Sequence, residues 1–259
     1  MALIPEYPGR SIWGLFRSLG RPVYDRLPPR RRLRVRAKVH ELRGHPGIGD
    51  PTRIYHVDPN AIVYSVYGTI LDFDPPELGI VGGDWDLQAK RLTGETMYHL
   101  HFRDGIPWED TEKYHEICER LADRGTYGHL DLPPEEQTIE AWDTYLEYLD
   151  DVYEDIEENG YKSQLELSPE DDFAGRKQAP LLAEIQVFIG RDGRVIVFSG
   201  RHRLYIAQCL ELDTIPVRTQ VRHPQWQAIR DQIVSSDSVE EIADSIVGGL
   251  DHPELQDLL

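Results

Sequence analysis

The sequence is poor in lysine, and its net charge is strongly negative. Only five of its 28 basic residues are lysines, and 46 residues are acidic, so the 259-residue chain has a formal net charge of −18. Such surfaces are typical of proteins that work in high salt, because hydrated carboxylates keep a protein in solution once charge repulsion is screened. The composition therefore favours a salt-loving, archaeal source over an ordinary acidic cytosolic protein.

Cysteine and long apolar runs are also scarce. The two cysteines, Cys118 and Cys209, lie far apart in predicted helices and cannot form a disulfide framework. No Cys-x-x-Cys pair or Cys/His cluster points to structural zinc, and no apolar run approaches the ~20 residues that a membrane span needs. We therefore expect a cytoplasmic protein. Peripheral contact with a membrane, through the N-terminal region, is left as an alternative.

That N-terminal region has the opposite charge from the remainder of the chain. Residues 1–48 carry 11 basic and 3 acidic side chains, a balance of +8, which leaves −26 for the rest. One interpretation is a loosely docked, arginine-rich arm whose residues 1–38 engage an anionic membrane, another polyanion or a protein partner. The other is an extension that packs on the acidic body of its own domain. The acidic body argues against DNA as a partner.

The apolar pattern predicts an α/β (α+β) protein with a small mixed sheet, flanking helices and a helical C-terminal extension. We expect the main domain over residues 49–223, with a helical insertion around 87–150, and two further helices in a C-terminal cap over 224–259. Strands are predicted within 53–66 and 78–86 and at 184–189, 194–198 and 215–221, and helices at 108–123, 137–158 and 201–212.

The segment 184–210 contains the strongest functional pattern. Two strands joined by an Asp192-Gly193 turn are followed by Gly200 and by a helix that begins with Arg201, His202 and Arg203. A helix N-terminus offers unpaired N–H groups and a positive dipole, and arginine and histidine add donors suited to phosphate. The pattern predicts a nucleotide-phosphate cradle, although the arginines could instead pair with carboxylates of the domain.

The order of these elements resembles the ParB/sulfiredoxin superfamily. The matching stretches are 156–164, 185–188, Asp192-Gly193, Gly200–Arg203 with Ala207, and 212–217, with a weaker echo over 53–86. This resemblance implies that Gly200, Arg201, His202 and Arg203 hold nucleotide phosphates. Arg201 stands where sulfiredoxins have cysteine, and residues after 224 provide no basic DNA-recognition helix of the partition-protein type. Free-serine kinases remain as the functional comparison.

A second candidate is the loop Gly82-Gly83-Asp84-Trp85-Asp86. Its two carboxylates could bind Mg²⁺ or take a proton from a hydroxyl acceptor, and Trp85 could stack on a base or sugar. The resemblance places this loop near the nucleotide. The alternative is a Gly-Gly turn with a solvated acidic pair and a core tryptophan.

Two single residues complete the predicted site. Glu184, at the start of a strand, could reach the metal or pair with an arginine. Lys162 lies in the segment 161–164, where related domains have residues close to the ligand, but it could equally be a surface lysine.

These observations lead to a Mg²⁺-dependent phosphotransferase as the leading hypothesis. It would transfer phosphate from ATP or another nucleotide to a small hydroxyl-bearing acceptor, with Asp84, Asp86 and His202 as candidate catalytic residues. The alternative is a non-catalytic, nucleotide-responsive module whose basic arm engages a membrane, polyanion or partner protein.

Overall fold

The computed structural model describes residues 24, 26–67, 71–92, 96–127, 132–168, 180–236 and 249–259. Within these residues the protein has mixed α/β character, with one seven-stranded sheet and eight helices. The predicted class of fold is therefore confirmed. Among the described helices, none combines the length and the apolar character needed to cross a bilayer.

Parallel and antiparallel strands are both present in the sheet. The strands are β1 Tyr55–Val57, β2 Tyr64–Ser65, β3 Gly79–Ile80, β4 Lys90–Arg91, β5 Ile185–Ile189, β6 Val195–Ser199 and β7 Ile215–Arg222. Their order is β1-β7-β5-β6-β2-β4, and β3 pairs with a different part of β7. The central strand β5 is antiparallel to β6, parallel to β7 and buried along its whole length, which explains why four of its five residues are apolar.

The helices surround this sheet. They are α1 Pro29–Leu42, α2 Met97–Phe102, α3 Glu112–Arg124, α4 Ile139–Asn159, α5 Gln164–Leu167, α6 Pro180–Ala183, α7 Arg201–Cys209 and α8 Pro224–Ser235. Thr111 and Thr138 begin α3 and α4, because their side chains accept the backbone N–H groups of Tyr114 and Ala141. The insertion predicted around 87–150 contains α2, α3 and part of α4, which build an aromatic core of their own beside α7.

Residues 29–48 pack on the protein's own domain. The helix α1 buries every fourth residue, Pro29, Leu33 and Ala37, against an apolar cluster that also contains Ile48 and Leu78. Of the two interpretations of the N-terminal region, the structure agrees for residues 29–48 with an extension that packs on its own domain and not with a loosely docked arm, because an apolar stripe runs along the helix between its arginines. Residues 1–23, including the apolar stretch 12–19, lie outside the described residues.

The C-terminal residues belong to the main core rather than forming a cap over it. Trp226, Ile233 and Leu255 are buried in the same cluster as the central strands. Residues 249–255 form two 3-10 turns, Gly249–Asp251 and Pro253–Leu255. The second helix, predicted after a break near Gly248-Gly249, is therefore absent from the described residues 249–259, and residues 237–248 lie outside the described residues.

Candidate functional site

A cleft of about 420 Å³ lies beside the N-terminus of α7. Its volume is in the range of small-molecule sites. It is formed by α2, α3, α7 and nearby loops, and its lining residues are Tyr67, Thr96, Met97, Tyr98, Leu100, Thr111, Glu112, Lys113, Glu116, Tyr127, Arg201, His202 and Tyr205. Two residues of the predicted cradle, Arg201 and His202, are therefore part of this cleft.

Gly200 provides the turn that leads from β6 into α7. Its backbone has φ 85° and ψ 22°, a left-handed conformation that favours glycine. A Cβ atom at this position would also lie 3.0 Å from the Ile185 side chain and 3.1 Å from its Cα. Glycine thus lets α7 begin directly against β5, with its N-terminus beside the cleft.

Arg201 lines the cleft and contacts an aromatic ring and a backbone carbonyl. Its guanidinium carbon is 4.5 Å from the centroid of the Tyr67 ring, and Nη1 donates to the carbonyl of Phe198 at 3.0 Å. Within the described residues Arg201 forms no ion pair with a carboxylate. The alternative that this arginine simply pairs with an acidic side chain is therefore not supported by its surroundings.

His202 is surrounded by tyrosines. Its Nδ1 forms a hydrogen bond with the Tyr145 hydroxyl of α4, and its ring centroid is 5.0 Å from that of Tyr98. Tyr98 in turn stacks on Tyr205, with centroids 5.2 Å apart and planes at 13°. The cleft thus combines cationic and imidazole groups with aromatic surface.

Arg203 points to a different environment from the two residues before it. Its Nη2 donates to the carbonyl of Ala183, and its charge acts on Glu184 and Tyr161. Glu184 is 1 % exposed, and one of its oxygens accepts the Leu165 N–H at 3.2 Å, at the start of α5. Burial raises the pKa of Glu184 to about 7, against the opposing effects of that hydrogen bond and of Arg203. The predicted cradle is thus divided, with Arg203 outside the residues that line the cleft.

The structure does not bring Asp84 and Asp86 to this cleft. Both are bound by Arg191, which lies in the turn between β5 and β6. Gly200 follows the far end of the same hairpin, and at ~3.3 Å per residue its five-residue strands separate the two ends by roughly 16 Å. The prediction that the acidic loop approaches the Gly200–Arg203 turn is therefore wrong.

The other residues of this loop have structural contacts. Trp85 is 2 % exposed, donates its indole N–H to Val81 at 2.9 Å and packs edge-on against Phe188. The carbonyl of Gly83 accepts a hydrogen bond from Arg191, and Gly82 lies near Pro224. Trp85 is thus a core tryptophan in this fold rather than a surface on which a base could stack.

The predicted metal ligands are likewise not assembled. Glu184 precedes β5, whereas Asp84 and Asp86 contact the turn after β5. The part of the chain that the structure describes contains no group of three or more His, Cys, Asp or Glu side chains placed to hold a metal ion. Lys162 is exposed and is not among the residues that line the cleft.

Several residues of the cleft were missed by the sequence analysis. Glu112 and Glu116, one turn apart on α3, are its carboxylates, and Glu116 binds Lys113 at 2.5 Å. Tyr205 could have been found, because it lies one helical turn after Arg201. Nothing in the sequence connects α3 or Tyr67 to that helix.

Comparisons with protein-family models, with curated proteins and with solved structures found no match to the chain. The geometry of the cleft is therefore the main guide to the function of the protein.

Proposed function

We propose that the protein binds a nucleotide in the cleft beside α7. The main support is Arg201, a cation at the edge of the cleft that forms no carboxylate ion pair among the described residues of a protein with 46 acidic side chains. An arginine without such an ion pair at a helix N-terminus is suited to binding phosphate. The resemblance of residues 156–221 to the ParB/sulfiredoxin superfamily supports the same conclusion.

The two parts of a nucleotide have matching partners here. The phosphates would lie at Gly200, Arg201 and His202, where the positive end of α7 adds to the charge of the arginine. The base and sugar would lie against the aromatic side of the cleft, where Tyr67 is half-buried and the edges of Tyr98 and Tyr205, each 8 % exposed, belong to the lining.

We further propose phosphoryl transfer to a small hydroxyl-bearing acceptor as the reaction. With Asp84 and Asp86 bound to Arg191, the carboxylate available among the described residues of the cleft to accept the hydroxyl proton is Glu112, because Glu116 is paired with Lys113. Arg201 would stabilise negative charge on the transferred group. Because Glu116 is paired with Lys113 and the described residues assemble no metal-binding group, a Mg²⁺ ion would be held mainly by the substrate phosphates. When bound, Mg²⁺ would neutralise charge on the donor phosphates.

A non-catalytic, nucleotide-responsive module is the second candidate. It is favoured by the engagement of both predicted catalytic aspartates with Arg191. In this case the cleft binds the same ligand but Glu112 has no chemical role.

Thermal-shift and calorimetric titrations with ATP, ADP, CTP and GTP, with and without Mg²⁺, test the proposal. A ligand at ~100 times its Kd should stabilise the fold by ~2.7 kcal/mol. Arg201→Ala should weaken binding about 10- to 100-fold, the effect of losing hydrogen bonds to a charged group. The matched control is Arg91→Ala, an exposed arginine on the strand β4.

Two outcomes separate the alternatives. Glu112→Gln should abolish turnover and largely preserve affinity in a kinase, whereas a binding module has no turnover to lose. If no nucleotide binds, or if Arg201→Ala binds like the wild type, nucleotide binding at this cleft is disproved.

A further inference from the structure

A residue outside the cleft lining forms a hydrogen bond with one of the groups inside it. Tyr145 belongs to α4 and is not among the residues that line the cleft. Its hydroxyl nevertheless forms a hydrogen bond with Nδ1 of His202 on α7. The two residues are 57 positions apart in sequence, so the contact joins the helical insertion to the predicted phosphate-binding turn.

The position of Tyr145 is fixed by packing on both sides of it along α4. Trp142, Leu146 and Leu149 are buried in the aromatic core of the insertion. Asp143 accepts the Tyr114 hydroxyl at 2.8 Å, and Asp150 accepts the indole N–H of Trp108 at 3.1 Å. The helix is therefore held independently of His202, and the hydroxyl is presented to the imidazole from a fixed point.

The hydrogen bond has a chemical consequence for the imidazole. Burial raises the pKa of Tyr145 well above its ordinary value, so the phenol keeps its proton and can donate it. A neutral imidazole that accepts a hydrogen bond at Nδ1 carries its own proton on Nε2. A hydroxyl that donates to one ring nitrogen thus sets both the orientation of the ring and its tautomer.

We infer that Tyr145 is a positioning residue that holds the His202 ring in the Nε2–H tautomer. The helical insertion thereby determines how the histidine is presented beside Arg201. The effect on the ring requires the Tyr145 hydroxyl to donate to Nδ1, whereas the effect on ligand affinity rests on the proposed nucleotide binding.

The direct test is ¹⁵N NMR of the histidine ring nitrogens at about pH 9, where imidazoles are neutral. In the wild type, His202 should show a protonated Nε2 and an unprotonated, hydrogen-bonded Nδ1. Tyr145→Phe removes only the hydroxyl and should raise the share of the Nδ1–H tautomer. Tyr148→Phe, on the same helix and 56 % exposed, should leave the spectrum of His202 unchanged.

The ligand test is separate. Tyr145→Phe should weaken nucleotide binding about 3- to 10-fold, the range expected for one neutral hydrogen bond, while Tyr148→Phe should not. A wild-type spectrum with the proton on Nδ1 overturns the inference, and this measurement requires no folded variant. A wild type that shows the Nε2–H tautomer but binds no nucleotide would disprove the proposed function and leave the positioning of the ring established.

Discussion

Arg191 holds Asp86 through both carboxylate oxygens, with Nε 2.8 Å from Oδ2 and Nη2 2.8 Å from Oδ1. The carboxylate, on a residue that is 1 % exposed, also accepts the backbone N–H of Arg191 at 2.9 Å. Burial opposes ionisation, but these hydrogen bonds prevail and lower the pKa of Asp86. Bidentate, partly buried pairs of this kind are the strong ones. The Arg191–Asp86 ion pair thus connects the acidic loop, residues 82–86, to the β5–β6 turn.

Asp86→Asn should therefore reduce stability without affecting the cleft. We expect a loss of about 1–3 kcal/mol in the free energy of unfolding, measured by urea denaturation, because a charged hydrogen-bonding partner is lost. Asp84→Asn is the matched control. Its side chain is 69 % exposed, so its effect should stay within about 0.5 kcal/mol. If the Asp86→Asn protein is fully stable but binds nucleotide more weakly, the loop belongs to the functional site after all.

Residues 29–38 should be needed for stability. Deletion of residues 1–38 should lower the urea midpoint, because it removes Leu33 and Ala37 from the apolar cluster. Leu33→Ala alone should cost about 2–5 kcal/mol, as for other buried leucines. Arg31→Ala, on the exposed side of the same helix, should change stability by less than about 0.5 kcal/mol. An unchanged midpoint after the deletion would show that α1 contributes nothing to the fold.

The elements with strong local patterns could be predicted. The Asp192-Gly193 turn joins two β-branched apolar strands, and β5, β6 and β7 all lie where this pattern places them. Position 193 needs glycine for two reasons. Its φ is +85°, and a Cβ atom would lie 2.6 Å from the Trp226 ring. The first requirement can be inferred from the turn, but the second depends on a residue in α8.

The site could be predicted only in part, because its contacts are distant in sequence. Arg191 and Asp86 are 105 positions apart, and no local pattern pairs them. A local sequence pattern predicts Gly200, Arg201 and His202 as site residues. The residues that α3 contributes to the cleft cannot be predicted in this way, because their position depends on how the insertion packs. The apolar residues of α1 recur every four positions, which predicts a buried helix face. The arginines around them favour the other interpretation, an exposed basic arm.

Glu254 should make the protein sensitive to acid. It is 2 % exposed and lies between Arg222, at 2.6 Å, and Arg230, at 3.1 Å. Burial alone would raise its pKa, but the two arginines prevail and lower it from 4.5 to about 2. The stabilisation is therefore complete above pH 4.5 and is lost as the pH falls towards about 2, by roughly 3 kcal/mol in all.

Glu254→Gln should remove this pH dependence. We expect the variant to lose about 3–5 kcal/mol near neutral pH, because two buried arginines lose their shared partner. The difference from the wild type should shrink as the pH falls below 4.5, the ordinary value of a glutamate. Urea unfolding at a series of pH values measures it, and stability curves that stay parallel down to acid pH would contradict the assignment.

Glu184 should have the opposite dependence. Burial raises its pKa from 4.5 to about 7, so the folded protein binds this proton more tightly than the unfolded chain does. Its contribution is most favourable below pH 4.5 and is lost as the pH rises through about 7, with a total change of roughly 3 kcal/mol. Glu184→Gln should therefore gain stability relative to the wild type as the pH rises across this range, since glutamine keeps an acceptor for the Leu165 N–H and cannot ionise.

Glu166→Gln provides the control with the reverse sign. This exposed residue accepts the Ser163 N–H at 2.7 Å, and that hydrogen bond lowers its pKa. Its stabilisation is present above the ordinary glutamate pKa, so the variant should lose stability relative to the wild type as the pH rises through that value. The two substitutions lie 18 positions apart, around α5 and β5. Plotted against pH, the stability of the variant relative to the wild type should therefore rise for Glu184→Gln and fall for Glu166→Gln. Equal slopes would mean that burial does not dominate the ionisation of Glu184.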